Sequence, residues 1–201
     1  MDKKIILIGG FHEIIELCEE IGYIIVGIID NNLKKSFMGY PIIGTDEDAE
    51  TLYEKYGRLP LVITPDLPYL REKLYVKYLN IGYKFETIIS PSAKISKSSL
   101  IGVGSIIQHG VNISACVKIG KFVKLNTECN IMHDCIINDF VTIAPNAVVL
   151  GRINIGNKTY VGANSTILPD LIIDKNSVIG AGSVVTKNVL GGILVKGVPA
   201  K

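Results

Sequence analysis

The 201-residue chain has no tryptophan, three histidines and four cysteines, and these scarcities exclude a good deal. A zinc site built on imidazoles needs three that converge. Of His12, His109 and His133, only the last two lie in one region, 24 residues apart, so no metal is expected. Cys18, Cys116, Cys129 and Cys135 are too scattered for a disulfide or metal framework. No apolar run approaches the roughly 20 residues that cross a bilayer. Met1-Asp2-Lys3-Lys4 followed by Ile5-Ile6-Leu7-Ile8 and then glycine is too short an apolar run for a secretory leader. The expectation is a cytoplasmic protein without membrane insertion. Lysine and arginine form no run longer than two and the net charge is only +2, so nucleic acid is not an expected partner.

What the chain has in abundance is a period of six. From Ile89 an Ile, Val or Leu returns at every sixth position through Ile95, Leu125, Ile131, Ile137 and Ile143 to Val185, giving seventeen units in one frame. Four residues after each stands a second, mostly smaller residue, from Ala93 through Val123, Cys129 and Cys135 to Val189. Neither a helix nor a plain strand uses that period, whereas a repeat of fixed length defines an architecture by itself. Six residues make a short strand and a corner, three units close a triangular coil, and positions 18 apart stack. The expected fold of residues 89–201 is an all-β parallel β-helix, roughly 27 Å tall at the usual strand spacing. Its large aliphatic residues fill the interior, and the units run to Gly191-Gly192, followed by a short extended tail.

Residues 1–88 alternate apolar runs with helical patterns. Residues 3–8 read as a buried strand, 12–21 as a helix closed by Gly22, and 23–29 as a second strand. Pro41 to Gly44 reads as a short edge segment. Thr45-Asp46 can cap a helix to about Tyr56. Leu59 to Thr64 forms a third strand, Pro68 to Ile81 a helix, and Phe85 to Ile89 a last strand. This order predicts a small α/β, Rossmann-like domain with a parallel sheet. Ligands of such sheets bind beyond the carboxyl ends of the strands, here Gly9 to His12, Asp30-Asn31 and Thr64 to Asp66. The G-x-G-x-x-G fingerprint is missing from Leu7-Ile8-Gly9-Gly10-Phe11-His12, which argues against NAD.

Within the repeat, His133 and Asp134 share a corner in Asn130-Ile131-Met132-His133-Asp134-Cys135. An imidazole beside a carboxylate suits general-base work near neutral pH. Two ordinary surface residues would occupy the same places. Phe122 and Phe140, 18 apart, stack on another corner.

Over essentially its full length the chain resembles the bacterial sugar acyltransferases of the sialic acid O-acetyltransferase and UDP-4-amino-sugar N-acetyltransferase family. The matching stretches include Leu125-Asn126-Thr127, His133-Asp134-Cys135, Asn138-Asp139-Phe140, Ile143-Ala144-Pro145, Tyr160 to Ser165, Ile179 to Val185 and Gly197 to Lys201. The resemblance implies a left-handed winding, although parallel crossovers are as a rule right-handed. It also implies a base at His133 with Asp134 as its helper, acetyl-CoA contacts at Thr142, Ala163 and Ala181, and sugar-nucleotide contacts at Gly10, Phe11, His12, Asp30 and Asn31. Thr64 joins the substrate set as the third strand end. The implied activity is acetyl-CoA-dependent N-acetylation of a nucleotide-linked, UDP-type 4-amino sugar. O-acetylation of a sialic-acid-like sugar and a non-enzymatic nucleotide-binding scaffold are the alternatives. Ala163 and Ala181 stack on one corner and His133 stands on another, so base and cofactor meet only between neighbouring chains. A homotrimer with three sites between subunits is the expectation.

Overall fold

The computed structural model describes residues 3–201, so the first two residues of the leader reading lie outside it. The chain divides into two compact units, Met1–Asp66 with Leu70–Ile88, and Ile89–Lys201 together with Leu67–Tyr69.

The first unit opens with β1 (Lys4–Ile8), whose last four residues are buried. Helix α1 (His12–Ile21) follows, turning Ile14, Ile15, Leu17 and Cys18 inward. Gly22 ends it at φ 87°, its N–H reaching the carbonyls of Cys18 and Glu19; this left-handed geometry favours glycine. Strands β2 (Ile24–Ile29), β3 (Ser36–Phe37) and β4 (Tyr40–Gly44) come next, then a 3-10 turn at Asp46–Asp48, α2 (Ala49–Tyr56), β5 (Leu61–Ile63) and α3 (Pro68–Ile81). A reciprocal capping box links Thr45 and Asp48 at the start of the turn.

The sheet order is β3-β4-β2-β1-β5, parallel except for the β3–β4 hairpin. The Pro41 to Gly44 segment is therefore not the edge. Residues read as loop supply β3, which pairs outside it because the turn at Met38 and Gly39, both at positive φ, folds the chain back. Nor does Phe85 open a long strand. It makes one isolated bridge to Leu61, and the next strand, β6, is only Ile88–Ile89.

The second unit is a stack of two-residue strands, which up to Val184–Val185 recur at intervals of six and pair in parallel with the strand eighteen residues away. One face carries Lys94–Ile95, Asn112–Ile113, Asn130–Ile131, Val148–Val149, Thr166–Ile167 and Val184–Val185. A second runs from Leu100–Ile101 to Ile172–Ile173, and the third from Ile88–Ile89 to Leu194–Val195. The period-six residues from Ile107 to Val185 form one continuous buried core with Cys129 and Cys135. The smaller inward residues include hydroxyls that would be costly to bury unbonded. Ser105 donates to the carbonyl of Gly120, Ser165 to that of Gly162 and Ser177 to that of Asp174, while the Ser183 hydroxyl accepts the Gly197 N–H.

Each corner holds two residues, and from Gly104 to Gly182 the second lies near φ 60° whether or not it is glycine, as at Cys116, Glu128, Asp134, Arg152, Asn164 and Asp170. A non-glycine residue held there costs about 1–2 kcal/mol. The corner hydrogen bonds between successive coils, such as Asp134 N–H to the Ala115 carbonyl at 3.0 Å, hold it in place.

The prism continues past Gly191-Gly192. Leu194–Val195 pairs with Val178–Ile179 at a spacing of sixteen, and Val195 is buried among the interior residues. The tail is not extended either. Lys196 and Lys201 exchange backbone hydrogen bonds, and Ala200 N–H bonds the Val184 carbonyl, so the tail folds back over the last coil and satisfies part of its edge.

Candidate active site

His133 and Asp134 are the two residues of one corner, joined at Nδ1 to Oδ2 by 2.8 Å, with both side chains about half exposed at 46% and 54%. The corner is pinned on both sides. Asp134 N–H bonds the coil below and the His133 carbonyl accepts the Arg152 N–H above at 2.9 Å. The Cys135 thiol, turned inward, donates to the Leu150 carbonyl at 2.9 Å, and burial holds its pKa above the ordinary value. It is a structural thiol and no nucleophile. With Nδ1–H committed to the carboxylate, Nε2 keeps its lone pair for a proton from outside.

One coil above Asp134 stands Arg152, and one above that Asp170. They form a bidentate pair, Nε to Oδ1 at 2.6 Å and Nη2 to Oδ2 at 2.8 Å. That hydrogen bonding and the opposite charge raise the pKa of Arg152 and lower that of Asp170. Exposed pairs of this kind add little to stability. Neither residue was among the expected site residues. The signal was available, since 134, 152 and 170 are successive positions of one column.

Ala163 and Ala181 stack on another corner, the Gly182 N–H bonding the Ala163 carbonyl at 2.8 Å. A full face of the prism separates them from His133, so one chain does not bring them together. Thr142 is fully buried in the strand Thr142–Ile143, between Lys124 and Tyr160 of the neighbouring strands. Phe122 and Phe140 stack at 5.6 Å with nearly parallel rings, both buried.

At the strand ends of the first unit, Asp30 organises the loops. Its carboxylate accepts the N–H groups of Gly10 at 3.0 Å, Asn32 at 2.8 Å and Leu33 at 3.0 Å. Burial pushes the carboxyl up, and the three N–H bonds together outweigh it, leaving the pKa below the ordinary value. Asn31 donates to Asp46 Oδ2 at 2.7 Å and accepts the Asp46 N–H at 2.8 Å, while the Tyr78 hydroxyl donates to Asp46 Oδ1 at 2.7 Å. Asp30, Asn31, Asn32 and Asp46 line a cavity of about 110 Å³ floored by Ile8 and Ile29. Gly10, Phe11, His12 and Thr64 do not line it. Gly10 packs under Leu33 and Phe37, where any Cβ would intrude to 2.4 Å. His12 stands edge-on to Phe37 at 4.6 Å, and Phe11 precedes α1 as its N-cap. Thr64 is buried, its hydroxyl shared between the carbonyls of Ile8 and Gly9, both at 2.9 Å. Asp46 was missed because its link to Asn31 spans fifteen residues with no periodic signal.

Among the described residues no group of three or more His, Cys, Asp or Glu is placed to hold a metal ion, and no helix is long and apolar enough to cross a membrane.

The Bacterial transferase hexapeptide (six repeats) family matches residues 152–187. The chain is 34% identical over 161 residues to GDP-perosamine N-acetyltransferase of Escherichia coli O157:H7, covering 80% of this chain and 71% of that protein. It belongs to the bacterial hexapeptide sugar acyltransferases. Among solved members, a histidine-to-asparagine variant of perosamine N-acetyltransferase from Caulobacter crescentus, in complex with CoA and GDP-perosamine, superposes with a TM-score of 0.93. Sequence identity there is 28%, over 98% of this chain and 95% of that one. The acetyltransferase domain of PglB from Neisseria gonorrhoeae FA1090, in complex with acetyl coenzyme A, gives 0.93 at 26% identity, covering 100% and 99%. As a hexapeptide acyltransferase, the chain has the left-handed prism of that fold.

Proposed function

We propose that the protein transfers the acetyl group of acetyl-CoA to the 4-amino group of a nucleotide-linked sugar. The observation that carries this reading is the His133–Asp134 pair, an exposed imidazole with its tautomer set by a carboxylate at 2.8 Å. The amine nitrogen attacks the thioester carbonyl, and Nε2 of His133 takes the proton the nitrogen gives up. The new C–N bond forms, the C–S bond breaks, and the proton passes on to the departing CoA sulfur. With Cys135 turned inward and bonded to backbone, direct transfer is favoured over an acyl-enzyme. Much of the acceleration comes from holding the two substrates together.

The relatives' association with CoA and acetyl-CoA supports the donor, and Ala163 and Ala181 are the residues proposed to line its path. They stand on a different corner from His133, so the complete site needs a second chain, and a closed ring of three supplies three such sites. The nucleotide is proposed to bind at the Rossmann-like unit's strand ends, around Asp30 and Asn31. The family resemblance implies UDP, whereas the E. coli and Caulobacter relatives are named with GDP-perosamine. Those relatives support the guanine carrier. Acetyl-CoA and nucleotide sugars are cytoplasmic metabolites, which supports a cytoplasmic site of action.

The test is a mass-spectrometric assay of GDP- and UDP-linked 4-amino sugars and free sialic acid with acetyl-CoA. A mass gain on a nucleotide 4-amino sugar is expected. A gain on sialic acid alone means O-acetylation, and no CoA binding by calorimetry means a scaffold. General-base help is worth about 10²- to 10⁴-fold, so His133→Ala should lower kcat by that factor, and full activity in it would sink the assignment of the base.

A further inference from the structure

Gly151 stands one coil above His133 in the same corner column, and it is buried. A Cβ built on it would lie 2.7 Å from Nε2, 2.8 Å from Cε1 and 3.3 Å from Cδ2 of His133, and these are its three nearest atoms. The imidazole therefore lies across the face of this glycine. Gly104 and Gly110 also face a side chain one coil above, Phe122 and Glu128, but both lie at positive φ, which favours glycine in any case. A Cβ on Gly102, Gly156 or Gly162 would run first into backbone of the next coil, at 2.5 to 2.6 Å, so those positions serve the close stacking of the chain.

Nothing in the corner itself calls for glycine at 151. Its φ lies outside the left-handed region, and the residue that takes the positive φ is Arg152. The equivalent places one coil below His133 and one above Gly151 hold Ala115 and Pro169, so the fold accepts a side chain in this column. The space at 151 is kept empty at the one level where an imidazole needs it.

We infer that Gly151 is a positioning residue for His133, resting on the reading of His133 as the base. Asp134 holds the ring at Nδ1 and the bare Cα of Gly151 lets it lie flat, so that Nε2 has one direction. A methyl group at 151 has only the ring to displace, since the ring is the movable partner and the backbone is not. A misplacement of about 1 Å at a reacting group costs on the order of 10²-fold.

The test is a cycle of Gly151→Ala, His133→Ala and the double variant in the full-length protein. Each is read by kcat and KM with acetyl-CoA and the amino sugar, by Tm, and by imidazole ¹H–¹⁵N spectra, in which only three histidines need assigning. Gly151→Ala is expected to lower kcat about 10- to 100-fold with KM within about twofold. It should shift the His133 resonances while leaving His12 and His109 in place, and add nothing to the loss in His133→Ala. If Gly151→Ala folds poorly, the double variant should regain the lost Tm, because deleting the imidazole opens the space. A double variant as unstable as the single one overturns the inference, as do unmoved His133 resonances with unchanged kcat. In those cases a large loss in His133→Ala leaves the base reading standing. Full activity in His133→Ala removes the base reading and this inference together.

Discussion

The two units solve the problem of burying a parallel sheet in different ways. In the first, β1, β2 and β5 are nearly continuous apolar runs covered by helices joined through loops of unequal length. In the second, no strand exceeds two residues, and burial comes from stacking one aliphatic residue on its equivalent eighteen positions away. The first unit puts its polar detail at strand ends, where Asp30 draws three N–H groups together. The second puts it at corners, where every other residue is outward by construction. A loop site depends on tertiary closure of distant segments, while a corner site depends on a register that repeats.

That contrast can be broken most sharply inside the prism. Ile143 is fully buried between Leu125 and Val161 of the adjacent coils, so Ile143→Ala leaves a cavity that the stack on either side cannot close. A loss of about 2–5 kcal/mol is expected by denaturant unfolding, and a loss below that range would mean the coils relax independently.

A smaller effect is expected from Asp30→Asn. The amide keeps one acceptor oxygen but turns an N–H₂ toward a backbone N–H, at a cost of about 1 kcal/mol near neutral pH for a group that solvent partly reaches. The pH dependence carries a sign. The native pKa of Asp30 is depressed, so its contribution is present above the unfolded value of about 4 and disappears as pH falls through the lower native value. Stability curves of the parent and Asp30→Asn should therefore converge below about pH 4; parallel curves across pH 3 to 7 would show that the carboxylate does not organise the loop.

The smallest effect belongs to the corners. Cys116 is exposed at φ 60°, and Cys116→Gly relieves a left-handed residue while loosening the unfolded chain. A net stabilisation of about 0.5–1 kcal/mol is expected, and destabilisation in thermal unfolding would show that the coil-to-coil hydrogen bonds already define that corner without strain.

Legibility followed the same divide. The period of six placed Cys129 and Cys135 inside, His133 and Asp134 outside, and Phe122 over Phe140, because a fixed register leaves each residue one direction. It failed where the register itself changed, at Leu194–Val195, which pair at sixteen rather than eighteen. In the first unit the helices and buried strands were readable from apolar spacing, yet the hairpin of Ser36–Phe37 was not, since one exposed and one half-buried residue carry no pattern. Thr64 ends a strand, which marks it as a ligand contact by position, yet its hydroxyl is buried against the carbonyls of Ile8 and Gly9. Strand-end position locates a site but does not say which side chains face it.

By itself the sequence determined the prism, its interior and the column to which each corner residue belongs, because a repeat translates position directly into direction. Only the tertiary structure decided that the His133 imidazole lies over Gly151, that Arg152 clasps Asp170 and that Asp46 reaches Asn31. Those depend on rotamers and on contacts between segments, and neither is encoded in the spacing of residue types along the chain.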